Sequence, residues 1–196
     1  MDNSDILLAL RNVITAFEAL DVSYQIGGSV ASSVCGVPRT TLDIDLVANI
    51  CKAQIQPLIK RLSDQYYISE ESMVEAIQNR SSFNLIHLQT MMKIDIFILK
   101  DREYDYEAFR RKEKDVLGQE SGGLECYFAS AEDVILNKLE WYNMSGRISD
   151  RQWSDVLGVM KVQGKELQVP YLRDWAKKLK VDDLLEKAFC EAGLGV

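Results

Sequence analysis

Two stretches of the chain alternate apolar and polar residues, and this alternation predicts two half-buried β-strands. In the first stretch, Leu42, Ile44 and Leu46 alternate with Asp43 and Asp45. The second stretch, "MKIDIFILK", repeats the pattern and is expected to form a hairpin with "FNLIHLQT" across a turn near Thr90–Met92. Shorter apolar runs predict three more strands, at "SYQIGG", "YYIS" and "LECYFAS".

Helical spacing of apolar residues dominates the rest of the chain. A first helix is predicted from the cap Ser4 to Leu20, and four more follow at "SVASSVCG", "KAQIQPLIKRLSDQ", "EESMVEAIQNR" and "REYDYEAFRRKEK". Beyond about Ser130 only helices are predicted, with capping boxes at Ser130 and Ser149 and with Pro170 in a first turn. We therefore expect an α/β fold: a mixed β-sheet core with flanking helices over residues 1–129, then a C-terminal helical bundle over residues 130–196.

Composition narrows the class of protein. The 196 residues can bury a core without disulfide or metal staples. The acidic N-terminus does not match an export signal and no apolar run could span a bilayer, so we expect a cytoplasmic protein without membrane association and with reduced cysteines. The net charge of −7 argues against an extensive nucleic-acid surface.

The aspartates within the alternating strands form a candidate metal site. Asp43 and Asp45 face away from the core, with Cα atoms about 7 Å apart. Asp95 has the same orientation in the later strand, and it joins them if the two strands are neighbours. Three crowded carboxylates repel one another, and a divalent cation relieves that repulsion. The alternative is that they are edge-strand charges that deter aggregation.

A glycine-containing turn precedes these aspartates. Gly27, Gly28 and Ser29 lie where a predicted strand meets a predicted helix. The free N–H groups of a helix N-terminus attract phosphate, and glycine lets the phosphate approach the backbone. The turn matches neither the Rossmann nor the P-loop pattern. Glycine is common in turns of this kind, so an ordinary structural turn is the alternative.

Two segments together resemble a known family. "GGSVASSVCGVPRTTLDIDLV" (27–47) resembles the nucleotidyltransferase superfamily signature, in which glycines and a short helix precede Asp-x-Asp on a strand, and "KIDIF" matches its third-aspartate strand. "SAEDVILNKLEW" and "DRQWSDVLGVM" resemble the helical part of bacterial AbiEii-toxin-like proteins and their small relatives. The resemblance implies a nucleotidyltransferase-like mixed-sheet core, two Mg²⁺ ions and a nucleoside triphosphate donor.

The resemblance also implies roles for individual residues. Gly28 and Ser29 would hold the β- and γ-phosphates of the nucleotide. Asp43 and Asp45 would ligate magnesium, and Asp95 would ligate the second ion and help to deprotonate the acceptor hydroxyl.

Three further residues are candidates for nucleotide binding. Arg39 precedes the first aspartate strand and could reach a phosphate or form a salt bridge with a nearby carboxylate. Lys138 and Asp155 match nucleotide-site positions of the toxin-like relatives. Alternatively, Lys138 is a solvated helix residue and Asp155 pairs with Arg151 four residues earlier.

These observations predict a Mg²⁺-dependent nucleotidyltransferase that transfers a nucleoside monophosphate to a hydroxyl of an RNA end, a protein or a small molecule. The alternative is a nucleotide-binding interaction protein of a toxin–antitoxin-like system, with a cognate antitoxin-like partner. A multi-histidine metal centre is excluded because His87 is the only histidine, and we expect it to be a structural strand residue.

Overall fold

The computed structural model describes the backbone of residues 3–118 and 122–195 and the side chains of residues 5–118 and 122–195. The described chain forms the α-helices α1 (Asn3–Ala19), α2 (Gly28–Cys35), α3 (Ile55–Leu62), α4 (Glu70–Asn79), α5 (Glu103–Arg110), α6 (Ala131–Met144), α7 (Asp150–Gln163), α8 (Val169–Leu179) and α9 (Asp182–Ala192). It also forms the strands β1 (Tyr24–Ile26), β2 (Asp43–Ala48), β3 (Tyr66–Tyr67), β4 (Ser82–His87), β5 (Lys93–Ile98), β6 (Glu113–Leu117) and β7 (Leu124–Phe128).

The strands form one mixed sheet in the order β3-β4-β5-β2-β1-β7-β6. The strand β2 pairs in parallel with β5 and antiparallel with β1, and β4 and β5 form the predicted hairpin. The predicted α/β class and the mixed sheet are therefore confirmed.

The alternation of apolar and polar residues places one face of the central strands in the core. Ile44, Leu46, Ile94 and Ile96 are almost completely buried, whereas the residues between them stay partly exposed. Leu10, Val13, Ile14 and Phe17 of α1 are buried too. Full burial of one such aliphatic side chain contributes about 1.5–3 kcal/mol, so this apolar face is a main source of stability.

The chain groups into two units. The first contains Met1–Gly27 and Thr40–Phe128 and so includes the whole sheet, and the second contains Gly28–Arg39 and Ala129–Val196. The predicted domain division after residue 129 stays a prediction.

In the second unit, α2 packs against α6 and α7. The serine caps predicted there are confirmed, because Ser130 and Ser149 accept hydrogen bonds from the N–H groups of Asp133 and Gln152. Pro170 lies in the first turn of α8, as predicted.

One predicted helix ends early. Residues 113 and 114 were expected to continue α5, but Glu113–Leu117 forms the edge strand β6, which pairs antiparallel with β7. The sequence of a charged segment that faces water is compatible with both a helix and a strand. The pairing with β7 therefore decides its conformation.

Pro57 does not interrupt α3. It is the third residue of that helix, where the backbone N–H would have no intrahelical partner. None of the helices in the described ranges is long and apolar enough to cross a membrane.

A close approach of α2 and α7 predicts contrasting effects of two glycine substitutions. A Cβ atom at Gly36 would lie 2.7 Å from the Ser32 carbonyl oxygen and 2.8 Å from the Val159 nitrogen. We expect Gly36→Ala to lower the free energy of unfolding by roughly 2 kcal/mol through overpacking.

Gly158→Ala is the matched control for that prediction. Its Cβ would meet Val37 at an ordinary 3.4 Å, and alanine favours the helix, so stability should stay level or rise. Urea unfolding of both variants measures the difference, and equal effects would contradict the packing argument.

Candidate functional site

The central strands bring the three predicted metal-binding aspartates to one face of the sheet. In the parallel pair, Asp45 lies directly opposite Asp95, and Asp43 lies opposite Lys93. Asp43 is exposed, and Asp45 and Asp95 are half-buried. Because neighbouring strands are about 4.8 Å apart, the carboxylates of Asp45 and Asp95 share one patch of the sheet surface.

Lys93 supplies a positive charge within this patch. Its Nζ donates a hydrogen bond to Asp95 at 2.7 Å and lies 3.9 Å from an oxygen of Asp43. The hydrogen bond with Asp95, with the charges of Asp95, Asp43 and Asp45, raises the pKa of Lys93 despite partial desolvation. Three carboxylates and one ammonium leave two negative charges among these side chains.

The patch has the donor chemistry that magnesium prefers. In the described part of the chain, no three or more His, Cys, Asp or Glu side chains are arranged to hold a metal ion by themselves. Mg²⁺ usually binds one or two carboxylates together with water and substrate phosphates, so a complete protein cage is not required. Asp45 and Asp95, paired across two strands, fit such a site.

The predicted phosphate-binding turn starts immediately after β1. The N–H of Gly27 donates to the carbonyl of Asp45 within the first unit. The next residue, Gly28, begins α2 with φ at 54°, in the left-handed region that favours glycine. The Ser29 hydroxyl accepts a hydrogen bond from the Arg39 guanidinium.

The second unit contains a buried charge cluster, formed by Arg39, Lys138 and Asp155. Arg39 donates to both oxygens of Asp155, at 2.7 and 2.9 Å, and Lys138 donates to one of them at 2.7 Å. The side chains of Lys138 and Asp155 are each 5% exposed, whereas that of Arg39 is 32% exposed.

Opposing effects act on the buried carboxyl. Burial alone would raise the pKa of Asp155, but the hydrogen bonds and charges of Arg39 and Lys138 outweigh burial and lower it. The hydrogen bond to Asp155 raises the pKa of Arg39. Asp155 and Arg39 are therefore charged at neutral pH.

This cluster shows which structural partners the three residues have, and their roles in nucleotide binding stay predictions. Arg39 does form a salt bridge with a carboxylate, and that carboxylate belongs to Asp155. Lys138 is buried rather than solvated. Asp155 pairs with these two cations instead of the nearby Arg151.

Similarity in three dimensions extends over nearly the whole chain, although no protein-family model matches it and no curated protein matches its sequence. An antigenic nucleotidyltransferase-like protein from Paracoccidioides brasiliensis has a similar crystal structure, with a TM-score of 0.55 and 16% identity over 94% of this chain and 92% of that one. The chain has a nucleotidyltransferase-like fold.

A second similar protein is the antibiotic-resistance factor ANT(2'')-Ia. Its solution structure gives a TM-score of 0.56 at 14% identity, covering 97% of this chain and 100% of that one. Its crystal structure in complex with adenylyl-2''-tobramycin gives 0.54 at 14% identity, covering 88% and 97%. The nucleotidyltransferase-like fold predicted from the strand motifs is thus confirmed.

Other polar residues of this nucleotidyltransferase-like fold are structural. The Asp133 carboxylate is fully buried and accepts hydrogen bonds from Ser130 and Tyr171. The His87 ring pairs with Thr90 and contacts Tyr66, and burial lowers its pKa. The structural role expected for His87 is confirmed.

The role of Lys93 as a counter-charge is not among the roles predicted from the sequence. A signal was present, because Lys93 lies two residues before Asp95 and therefore on the same face of the strand. Its side chain is long enough to reach carboxylates on two strands.

Crowding of the carboxylates predicts that Asp45→Asn stabilises the metal-free protein by about 1 kcal/mol, because strain at a functional site is relieved. The same change should reduce the rise in Tm caused by Mg²⁺ plus nucleotide. For a wild-type site at a hundred times its Kd, that stabilisation is about 2.7 kcal/mol. Thermal melting with and without ligands measures both effects.

Asp64→Asn, at an exposed turn of the first unit, is the matched control and should leave both quantities unchanged. Equal ligand-induced shifts for Asp45→Asn and the wild type would contradict a role of Asp45 in metal binding.

The buried cluster predicts a large cost for Asp155→Asn. Removal of the carboxylate leaves the Lys138 ammonium buried without its counter-charge, so we expect about 3 kcal/mol of destabilisation in chemical unfolding. Asp183→Asn, which breaks an exposed pair with Arg147, should have little effect. Equal effects of the two substitutions would contradict the assignment.

The free energy of unfolding at acid pH tests the same cluster. The folded-state pKa of Asp155 lies below its ordinary value of 3.8, so its contribution is present above that value and is lost as the pH falls through the folded-state pKa. Unfolding measured below pH 4 should show a smaller acid-induced loss in Asp155→Asn than in the wild type.

Proposed function

We propose that the protein is a Mg²⁺-dependent nucleotidyltransferase that transfers a nucleoside monophosphate from a nucleoside triphosphate to a hydroxyl of a small acceptor. One observation carries this proposal: Asp45 and Asp95 lie opposite each other on parallel neighbouring strands of a nucleotidyltransferase-like sheet. An edge-strand role does not account for this placement, because β2 and β5 lie in the interior of the sheet.

In the proposed reaction, the acceptor hydroxyl oxygen forms a bond with the α-phosphorus of the nucleotide. The bond from this phosphorus to the oxygen that bridges to the β-phosphate breaks, and pyrophosphate leaves. Asp43, Asp45 and Asp95 would hold two Mg²⁺ ions, which would supply positive charge to the attacking and leaving oxygens. Asp95 helps to remove the proton of the hydroxyl.

The phosphate groups are assigned to residues of the second unit. The backbone of Gly28 and Ser29 at the start of α2 offers N–H groups, and Arg39 and Lys138 provide positive charge. Both oxygens of Asp155 already accept hydrogen bonds from these cations. We therefore assign Asp155 to positioning Arg39 and Lys138 rather than to touching the nucleotide.

A small cationic molecule is the acceptor class that the chain supports best. The net charge of −7 disfavours a long RNA and favours a cation. The structurally similar ANT(2'')-Ia is an antibiotic-resistance factor that was solved with adenylyl-2''-tobramycin. An aminoglycoside is therefore the first acceptor to test, ahead of an RNA end or a protein side chain.

The activity test uses nucleoside triphosphates labelled at the α-phosphate, with Mg²⁺ and separate pools of aminoglycosides, RNA and protein. We expect label in the small-molecule pool, and Asp95→Asn should reduce transfer by on the order of 100-fold or more, because the metal ligand and proton acceptor is lost. Asp64→Asn should retain wild-type transfer.

Two outcomes would overturn the proposal. Transfer that is unchanged in Asp95→Asn would remove the strand carboxylates from the reaction. Nucleotide binding without transfer to any pool would instead support the toxin–antitoxin-like binding protein, whose antitoxin-like partner stays a prediction from the sequence.

A further inference from the structure

Lys93 gives the carboxylate patch a cationic partner that is not a metal ion. Its Cα pairs with Asp43 on β2, and its ammonium donates to Asp95 on its own strand. The same nitrogen lies 3.9 Å from Asp43. The lysine therefore links carboxylates that belong to two adjacent strands.

The ammonium uses an oxygen that the proposed metal site needs. A hydrogen bond of 2.7 Å to Oδ2 of Asp95 occupies one of the directions from which a cation would approach that oxygen. A metal ion and the ammonium also repel each other at such short range. Metal binding at this oxygen therefore competes with the ammonium and favours withdrawal of Lys93.

Withdrawal of Lys93 is feasible. Its side chain is 42% exposed, so the ammonium can move into water without crossing the core. Lysine carries its charge on a flexible four-carbon stem, and the ammonium is readily hydrated.

We propose that Lys93 is a positioning residue that acts as an exchangeable counter-ion. In the metal-free protein it holds Asp95 and offsets the crowded carboxylates, and it is displaced when Mg²⁺ binds. This inference rests on the metal site of the proposed function. Lys93 thus stabilises the empty site at the expense of metal affinity.

The test compares Lys93→Met with Lys114→Met. Lys114 also lies on a strand of the first unit and pairs with Glu125 at 2.8 Å, so both variants lose one paired lysine and one positive charge. Titration calorimetry with MgCl₂ and no nucleotide measures affinity, and melting in EDTA measures the stability of the metal-free protein.

We expect Lys93→Met to tighten Mg²⁺ binding roughly fivefold relative to Lys114→Met, because Mg²⁺ then no longer has to break the attraction between the Lys93 ammonium and a carboxylate, two unit charges at most about 4 Å apart in a water-like medium. The Tm of metal-free Lys93→Met should fall below that of Lys114→Met. Lys93→Gln provides a second neutral side chain if Lys93→Met does not fold.

The outcomes separate this inference from the proposed function. If wild-type Mg²⁺ binding is lost in Asp95→Asn but Lys93→Met and Lys114→Met bind alike, the metal site stands and the counter-ion role is overturned. Weaker Mg²⁺ binding by Lys93→Met would also overturn it. If neither the wild type nor Lys93→Met binds Mg²⁺, both proposals fail, whereas binding by Lys93→Met alone supports the counter-ion role.

Discussion

The parallel pairing of β2 with β5 is the constraint on which the carboxylate patch depends. The buried isoleucines and leucine of the two strands fix the register, because a slip by one residue would turn the apolar side chains towards water. The same slip would bury Asp45 and Asp95. Burial of the apolar face therefore stabilises the sheet and also holds the aspartates opposite each other. Stability and site geometry are set here by one set of residues.

Charge compensation is the second constraint, and it takes a different form in each unit. In the sheet, Lys93 offsets half-exposed carboxylates, and it remains solvated enough to move. In the second unit, Asp155 is almost fully buried and receives two cations. A buried ion pair loses much hydration, so its geometry must be good and neither partner can be removed cheaply. We therefore regard Lys93 as an exchangeable partner of the carboxylates in the sheet, and the Arg39–Asp155–Lys138 cluster as fixed.

Local patterns in the sequence predicted most of the fold and the orientation of the aspartates. Alternation with a period of two identified β2 and β5, and serine caps marked the starts of α6 and α7. The strand β6 was missed because its charged residues favour no single conformation, and only pairing with β7 selects one. The link between Arg39 and Asp155 joins residues 116 positions apart, and no local pattern reports such a contact.

The two clusters keep residual charges of opposite sign. The side chains of Asp43, Asp45 and Asp95 sum to −3, and Lys93 brings the patch to −2 in the metal-free protein. Those of Arg39, Lys138 and Asp155 sum to +1, and they lie in the unit that contains the N-terminus of α2. A positive cluster with a helix N-terminus suits a phosphate, and a negative patch suits a cation.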